Sequence, residues 1–457
     1  MDLIRSISGI RGTIGKGLTP NIISDYVASF NEIISEGPIV IGRDGRPSGL
    51  WIEKIVVGTL LAQNRQVLLA GIVPTPTIQI LVEEFKASGG ISITASHNPS
   101  IWNGLKFIQE DGTFLTRYQN NKLFEIVDSS AFRFSEQSSL QIEEIAEPFE
   151  YHFNRIFNLQ LFKETNIANK LKNKKYKVVI DANNASGSKI IPEFLQRLGC
   201  EVVKINCNGD GIFAHPPEPN PQNITEVAKL VSEFKADIGF VVDPDADRLV
   251  IIDETGNPIW EELTIVLAIH SAGLFLEYLN PKSNKVVVNY STTQLAEYVA
   301  RKFGFELERA PVGEINVVTK MKELQAVIGG EGSGGVILPV CHYGRDSLVG
   351  MILILSLMAK LDKPISEIVS GYPKVFMQKR QFLVKEEIEN KIEELVNSLG
   401  LSLLDVNNED GYRINSDFGW IHIRKSNTEP LVRVIFETSN DEDRVKISRL
   451  IEKLFEE

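Results

Sequence analysis

The chain has 457 residues, of which 43% are hydrophobic and 24% carry a charge. This composition is typical of a globular protein, and the length exceeds what one hydrophobic core supports, so we expect three or four domains. The formal net charge of −12 argues against a general affinity for nucleic acid or for anionic membranes. We therefore expect neither as a partner.

The N-terminal segment, the longest apolar run and the cysteines bear on the expected cellular location of the protein. The opening segment "MDLIRSISGIRG" lacks the apolar core of a signal peptide, and the apolar run "SLVGMILILSLMA" at 347–359 is too short to span a bilayer. We expect that run to form a buried helix. The cysteines at 200, 207 and 341 show neither metal nor disulfide spacing, which predicts a reducing, cytoplasmic location.

Three segments repeat one pattern along the chain. Each begins with an apolar strand, at Pro38, Tyr176 and Asn284, and continues with a polar loop, an amphipathic helix and a second strand. This pattern predicts three α/β domains with mostly parallel sheets. Such repeats occur in α/β proteins of every function, so they say nothing about activity. The N-terminal loops add three arginines, for which surface charge is the alternative to a role in a site and between which composition does not decide: Arg11, Arg43 and Arg46.

The first candidate site is the stretch "GGISITASHNP". The apolar run predicts a short buried strand, which the sequence "SHNP" ends because proline cannot continue a ladder and asparagine favours turns. Ser96 is therefore expected on a loop at a strand end, where reactive groups are often presented. An ordinary polar turn is an equally good interpretation of this segment alone.

The second candidate site is the loop "DPDADR", which lies between two apolar runs. Asp243, Asp245 and Asp247 alternate there, and three carboxylates so close together repel one another unless a cation neutralises them. Oxygen ligands of this kind favour Mg²⁺ or Ca²⁺. An EF-hand is excluded because Arg248 occupies the position of its glycine and strands flank the loop. An acidic turn without metal is the remaining alternative.

Two loops nearer the C-terminus offer polar side chains for a ligand. "GEGSGG" presents Glu331 and Ser333 in a glycine-rich loop that suits sugar hydroxyls, although glycine loops are common turns. "GWIHIRKSNTEPLVRVIFET" predicts an antiparallel strand pair, followed by a helix over "DEDRVKISRLIEKLFEE", and therefore a small α+β domain. The loop of that pair forms a cluster of donors suited to phosphate, against the alternative of a solvated edge: Arg424, Lys425, Ser426, Asn427, Thr428 and Arg433.

Together, these loops resemble those of the α-D-phosphohexomutase superfamily over essentially the whole chain. "TASHNP" resembles its phosphoserine loop, "DPDADR" its metal loop, "GEGSGG" its sugar loop and "RKSNTEP" its phosphate loop. Four motifs in family order are far more specific than any one of them. The resemblance implies a heart-shaped α/β enzyme with three similar mixed α/β domains and a smaller C-terminal α+β domain. The expected bounds are 1–145 for the phosphoserine domain, 146–254 for the metal domain, 255–372 for the sugar domain and 373–457 for the phosphate domain.

The resemblance also implies a reaction. Phospho-Ser96 would donate its phosphoryl group to a hexose monophosphate and recover the other phosphate from the resulting bisphosphate. One Mg²⁺ per chain would bind the phosphoserine oxygen of Ser96 together with Asp243, Asp245 and Asp247, and a hexose 1,6-bisphosphate would act as activator. The protein would act on small sugar phosphates as a monomer or homodimer.

The resemblance assigns roles to the remaining candidates. Arg11 and Arg248 join the catalytic set, with Arg248 on the transferring group. Glu331 and Ser333 would hold the same hydroxyls in either sugar orientation. The phosphate that is not transferred would bind the last loop: Arg424, Ser426, Asn427, Thr428 and Arg433.

One departure from the family concerns the proton carrier. The sugar loop of the family often ends in histidine, but here that position is Gly335. Lys106 is the first candidate for the role, because a turn at "NG" (103–104) would fold it over Ser96. His97, which adjoins the serine, is the second, and His342 in the third domain is the rival.

The preferred sugar and the class of function each leave an alternative. Asn289 and the segment "PVGE" (311–314) resemble phosphoglucosamine mutases, whereas "SNTEP" resembles phosphomannomutase/phosphoglucomutases; we favour glucosamine phosphate. A serine hydrolase is disfavoured because "TASHN" lacks the glycines of a nucleophile elbow. A sugar-phosphate-binding paralogue without activity would need neither Ser96 nor the aspartates.

Overall fold

The computed structural model describes residues 3–137, 140–383, 388–402, 406–425 and 431–456. Its strands form four sheets that follow one another along the chain. Within this described part of the chain, no helix combines the length and the apolar character needed to cross a membrane.

The first sheet mixes parallel and antiparallel strands. Its strands are β1 (Leu3–Ser6), β2 (Gly9–Thr13), β3 (Ile39–Arg43), β4 (Val67–Ile72), β5 (Gly89–Ile93), β6 (Trp102–Gln109) and β7 (Ile142–Glu144). The same part of the chain forms the helices α1 (Pro20–Asn31), α2 (Gly49–Ala62), α3 (Thr75–Glu84) and α4 (Arg117–Ser129). The strand order is β1-β2-β6-β5-β3-β4-β7, with antiparallel strands at the β1 edge and parallel strands at the β7 edge.

The second sheet has the order β12-β11-β10-β8-β9. Its strands are β8 (Lys177–Asp181), β9 (Glu201–Ile205), β10 (Ile238–Val242), β11 (Leu249–Ile252) and β12 (Pro258–Ile259). The helices that precede or connect these strands are α5 (Pro148–Phe157), α6 (Gln160–Lys163), α7 (Ile167–Lys174), α8 (Gly187–Arg197) and α9 (Thr225–Glu233).

The third sheet has the order β14-β13-β15-β16. Its strands are β13 (Lys285–Asn289), β14 (Glu306–Ala310), β15 (Ile328–Glu331) and β16 (Gly335–Ile337). The accompanying helices are α10 (Glu262–Leu274), α11 (Leu295–Lys302), α12 (Glu314–Leu324), α13 (Ser347–Leu361) and α14 (Ile365–Ser370), with a 3₁₀ turn at Leu276–Tyr278.

The fourth sheet is antiparallel, with the order β17-β21-β20-β19-β18. Its strands are β17 (Phe376–Leu383), β18 (Val406–Asn407), β19 (Tyr412–Ser416), β20 (Gly419–Lys425) and β21 (Leu431–Thr438). The helices α15 (Ile388–Ser398) and α16 (Asp441–Glu456) share one apolar cluster with this sheet. The predicted strand pair and C-terminal helix are thus confirmed.

One arrangement recurs in the first three sheets. A parallel strand pair is connected through a helix in β3–α2–β4, β8–α8–β9 and β13–α11–β14. Beside each pair lies an antiparallel hairpin, formed by β5–β6, β10–β11 and β15–β16. The predicted repeat is therefore confirmed. The three hairpin loops carry Ser96, residues 243–247 and residues 331–333, so three of the candidate motifs occupy equivalent places in three similar units.

The packing of α13 confirms the predicted buried helix. Its side chains are buried from Ser347 to Ala359, and the carboxylate of Asp346 caps its N-terminus by accepting from the backbone N–H groups of Leu348 and Val349. The helix belongs to an apolar cluster that extends through the second and third sheets. Burial of this continuous apolar surface stabilises the packing of the second sheet against the third.

Candidate active site

The loop of the first hairpin meets the loop of the second at Ser96. The Ser96 hydroxyl donates to Oδ2 of Asp243 at 2.8 Å, and the serine is only 1% exposed. Its backbone has φ +48°, a left-handed conformation that a non-glycine residue adopts only when its surroundings impose it. The serine that the sequence predicts on a loop is therefore buried and held against the aspartates.

Arg46 imposes the shape of the Ser96 loop. Its guanidinium is fully buried, pairs with Asp44 at 2.8 Å, and donates to the carbonyl oxygens of Ser96, Asn98, Pro99 and Trp102. Arg46 is therefore not a solvated surface charge, because four carbonyl groups and one carboxylate replace its hydration shell. Arg43 is partly buried and pairs with Glu53.

The three aspartates of the second hairpin loop form a buried cluster. One oxygen of each lies within 4.8 Å of the others. Oδ1 of Asp245 and Oδ1 of Asp247 have no hydrogen-bond partner among the described residues. Burial, reinforced by the charges of its two neighbours, raises the pKa of Asp243 well above its ordinary value. Unpaired buried oxygens of this type fit a hard divalent cation such as Mg²⁺.

Lys106 reaches this cluster from within a strand. Its ammonium donates to Oδ2 of Asp245 at 2.6 Å and to Oδ2 of Asp247 at 3.0 Å. The predicted turn at Asn103 and Gly104 is wrong, because both residues lie in β6 and pair with β2. A Cβ atom on Gly104 would lie 2.3 Å from the carbonyl oxygen of the neighbouring strand, so the glycine permits close strand pairing instead of a turn.

The two histidine candidates have different surroundings. Nδ1 of His97 lies 3.4 Å from the Ser96 hydroxyl, and the charge of Arg248 together with burial lowers the pKa of His97 well below its ordinary value. Nε2 of His342 lies 3.0 Å from Asp346, which also binds His152 at 2.7 Å. The structure therefore brings His97, and not His342, to the serine.

The two arginines assigned to the catalytic set lie at the edge of the cluster. Arg11, on β2, donates to the side chain of Asn98 at 3.0 Å in the Ser96 loop. Arg248 follows the aspartates, and its guanidinium lies 3.6 Å from Glu218 and 3.9 Å from Asp247. Nε of Arg248 has no hydrogen-bond partner among the described residues, so this guanidinium retains donor capacity for an anion.

The sugar-loop carboxylate ends the first strand of the third hairpin. Oε1 of Glu331 accepts from the side chain of Asn289 at 2.8 Å and from the backbone N–H of Gly313 at 3.0 Å. Oε2 accepts from Arg345 at 2.6 Å. Ser333 lies half-buried in the turn that follows. Glu331 is therefore oriented by three donors from three different segments.

Arg345 is a residue of the site that sequence reasoning missed. Besides Glu331, its guanidinium pairs with Asp247 at 2.7 Å and with Glu314 at 3.0 Å. The only signal in the sequence is a charged pair, Arg345 and Asp346, shortly before a long apolar run. That signal is weak, because such a pair is as often a solvated helix end.

The predicted phosphate loop lies partly outside the described residues, since Ser426, Asn427 and Thr428 are not among them. Arg424 and Arg433 are cross-strand partners on β20 and β21. Nε of each is buried without a hydrogen-bond partner among the described residues. Asp410, in the turn between β18 and β19, accepts from the backbone N–H of Val312 at 2.7 Å. Val312 precedes Gly313, whose N–H donates to Glu331 at the sugar loop. Each of the two arginines therefore retains an Nε donor that no described residue accepts.

Comparison with known proteins identifies the class of enzyme. The models of the phosphoglucomutase/phosphomannomutase alpha/beta/alpha domains I, II and III match residues 3–134, 157–256 and 265–376, and the model of the C-terminal domain matches residues 382–450. These matches, in order, make the chain a phosphohexomutase, an isomerase of the mutase type. It belongs to the phosphoglucomutase/phosphomannomutase family of the α-D-phosphohexomutase superfamily, as the four motifs predicted.

Individual relatives agree on the family but carry different substrate names. A phosphoglucomutase/phosphomannomutase of Thermococcus kodakarensis is 32% identical over 98% of this chain and 97% of its own. A phosphoglucosamine/phosphogalactosamine mutase of Sulfurisphaera tokodaii is 31% identical over 98% of both chains. The crystal structure of a phosphoglucomutase/phosphomannomutase family protein from Burkholderia thailandensis has a TM-score of 0.82 and 25% identity, and the match covers 99% of this chain and 97% of that one.

Proposed function

We propose that this phosphohexomutase interconverts glucosamine 6-phosphate and glucosamine 1-phosphate through a phosphoserine at Ser96. The observation that carries the proposal is the 2.8 Å contact between the Ser96 hydroxyl and Asp243, where two hairpin loops meet. A serine buried against three carboxylates is a costly arrangement. It is understandable if a cation and a phosphoryl group complete the site.

In the proposed reaction, phospho-Ser96 first gives its phosphoryl group to the free hydroxyl of the sugar monophosphate. The bond between phosphorus and the serine oxygen breaks, a bond to the sugar oxygen forms, the sugar hydroxyl loses a proton and the serine oxygen gains one. The bisphosphate then turns over, and Ser96 attacks its other phosphate with the proton transfers reversed. Arg11 and Arg248, at the rim of the aspartate cluster, would bind the transferring group.

The proposed metal site consists of Asp243, Asp245, Asp247 and the phosphoserine oxygen of Ser96. The two unpaired carboxylate oxygens support it. When bound, Mg²⁺ would supply positive charge that neutralises the transferring phosphoryl group.

We propose Lys106 as the proton carrier and His97 as the second candidate. The Lys106 ammonium lies in the same cluster as Asp245 and Asp247. His97 adjoins the serine, with Nδ1 at 3.4 Å from its hydroxyl. Lys106 lies in the aspartate cluster whose Asp243 accepts from the Ser96 hydroxyl, so either group is a candidate for exchanging a proton at the site.

Substrate binding is assigned to the third and fourth sheets. Glu331 and Ser333 would accept and donate hydrogen bonds to the sugar hydroxyls. The phosphate that stays on the sugar would bind the guanidinium groups of Arg424 and Arg433, whose unpaired Nε atoms support the assignment. Ser426, Asn427 and Thr428 complete this proposed pocket.

The choice of glucosamine rests on the resemblance of Asn289 and of the segment 311–314 to phosphoglucosamine mutases. Both stretches contact the sugar-loop carboxylate, since the side chain of Asn289 and the backbone N–H of Gly313 donate to Glu331. A phosphomannomutase/phosphoglucomutase is the alternative, and the names of the relatives support both. We further propose that a hexose 1,6-bisphosphate restores phospho-Ser96 when the intermediate escapes, and that the enzyme acts in the cytoplasm.

The test compares mutase rates with glucosamine, glucose and mannose phosphates, each with Mg²⁺ and a bisphosphate activator. We expect the highest kcat/KM with glucosamine 6-phosphate, and a phosphate on Ser96 by intact-mass analysis. Ser96→Ala should lose both turnover and the phosphate while keeping the wild-type thermal midpoint. Turnover by Ser96→Ala would contradict the covalent mechanism. A higher kcat/KM with mannose or glucose phosphate would favour the alternative, and no turnover with any of them would favour a binding paralogue.

A further inference from the structure

Arg345 joins three carboxylates that stand on three different elements. Nη2 donates to Asp247 at 2.7 Å in the aspartate loop, Nη1 to Glu331 at 2.6 Å at the end of β15, and Nε to Glu314 at 3.0 Å at the start of α12. The arginine side chain is only 9% exposed. Because a guanidinium is planar and rigid, its three donors fix these carboxylates relative to one another.

The backbone beside Arg345 is fixed as well. The N–H of Asp346 donates to the carbonyl of Val336 on β16 at 2.9 Å. The Asp346 carboxylate caps α13 and contacts the rings of His152 and His342. The backbone next to Arg345 is therefore held by hydrogen bonds both to the buried helix α13 and to the hairpin of the sugar loop.

Gly335 provides the space that the arginine occupies. It lies across the hairpin from Glu331, and a Cβ atom built on it would lie 2.3 Å from Cδ and 2.9 Å from Cγ of Arg345. No side chain fits there unless the arginine stem moves. Gly335 therefore leaves open the space through which the arginine stem passes.

We propose that Arg345 is a positioning residue that holds the metal-binding Asp247 and the sugar-binding Glu331 in one rigid arrangement, with Gly335 as its required neighbour. The inference rests on the proposed function for the roles of those two carboxylates. Its consequence is that one substitution at Arg345 weakens metal binding and sugar-phosphate binding together, although the two ligands contact different loops.

The first test is Arg345→Lys, which keeps the charge but not the three directed donors. We expect Mn²⁺ affinity, measured by calorimetry without sugar, to fall about tenfold or more, because partners that orient a metal ligand typically contribute that much. The KM for sugar phosphate should rise by a similar factor. Arg155→Lys is the matched control, because Arg155 also donates to two carboxylates and one carbonyl, those of Glu83, Glu84 and Cys341. This substitution should leave both the Mn²⁺ affinity and the KM unchanged.

The second test is a double-mutant cycle of Gly335→Ala with Arg345→Ala. In the wild-type background, Gly335→Ala displaces the arginine stem and should reproduce the loss of Mn²⁺ affinity. In the Arg345→Ala background there is no stem to displace, so adding Gly335→Ala should change little. Gly58→Ala, where a Cβ atom meets nothing within 4 Å, is the control for the glycine substitution itself. Equal effects of Gly335→Ala in both backgrounds would overturn the role of Gly335.

The outcomes separate this inference from the proposed function. If Arg345→Lys loses thermal stability but the folded protein binds Mn²⁺ and sugar phosphate like the wild type, the arginine is merely structural and the inference is overturned. If the wild type shows no mutase turnover, the proposed function fails. Calorimetry with Mn²⁺ still tests whether Arg345 positions Asp247 for metal binding. Loss of Mn²⁺ affinity in both Arg345→Lys and Gly335→Ala supports the inference.

Discussion

Replacing Lys106 by methionine tests the centre of the site most directly. Methionine keeps an unbranched apolar stem but removes the ammonium that lies 2.6 Å from Asp245 and 3.0 Å from Asp247. The lysine is 2% exposed, so water does not reach the two carboxylates that the substitution leaves without their partner. Removing one partner of a buried ion pair typically costs ~3–5 kcal/mol. We expect the free energy of unfolding without metal to fall by about that amount.

Magnesium should reverse much of this loss, because a divalent cation neutralises the same carboxylates. The thermal midpoint of Lys106→Met should therefore rise more on adding Mg²⁺ than that of the wild type. The rate should not recover. Acid–base help contributes ~10²–10⁴-fold, so we expect kcat to fall at least a hundredfold with little change in KM.

The assay is a coupled mutase rate with saturating Mg²⁺, alongside thermal unfolding with and without the ion. Lys285→Met is the control, since Lys285 also lies between two carboxylates, of Glu306 and Glu308, but at an exposed edge; its kcat and its response to Mg²⁺ should match the wild type. His342→Ala should reduce kcat only mildly. A near-normal kcat in Lys106→Met with a large loss in His342→Ala would refute the assignment of the proton carrier.

Three further predictions concern metal, phosphate and pH. Asp245→Asn should weaken Mg²⁺ dependence and slow turnover by orders of magnitude, because metal charge stabilisation contributes several kcal/mol; a wild-type rate that survives EDTA would exclude the metal site. Arg433→Ala should raise KM roughly ten- to a hundredfold, since a charged hydrogen bond contributes ~1.5–3 kcal/mol, while phosphorylation of Ser96 by a bisphosphate changes less; an unchanged KM would place the phosphate elsewhere. Burial raises the pKa of Glu262 to about 7, above its unfolded value, so this group's contribution to stability is present at low pH and is lost as pH rises towards and through 7. The stability of Glu262→Gln relative to the wild type should therefore rise between pH 5 and pH 8, by up to about 3 kcal/mol, in addition to the loss of the contact with Lys379, and denaturant unfolding that shows no such pH trend would contradict this reasoning.

Much of the architecture follows from short-range pattern in the sequence. Apolar runs bounded by proline, asparagine and glycine predict the strand before Ser96 and the two strands around the aspartates, and the structure contains them. Asp243, Asp245 and Asp247 could be recognised because one loop carries all three. Their mutual repulsion is a local property, which the spacing of residues already expresses.

Tertiary pairing decided what Lys106 does. The dipeptide before it suggested a turn, yet β2 pairs with this segment and keeps it extended. Strand pairing is a contact between distant segments, and it overrides the local preference of asparagine and glycine for turns. The lysine therefore reaches the aspartates from a strand interior, by a route that its neighbours in sequence do not indicate.

The buried arginines show most clearly what only the folded chain decides. In a sequence, Arg46 and Arg345 are indistinguishable from solvated surface charge. Arg46 is buried because it meets the carbonyl of Ser96, 50 residues away, and Arg345 because it meets Asp247, 98 residues away. The free energy of a buried charge depends on the partners that replace its water. Those partners come together only when the separate units of the chain have folded and packed.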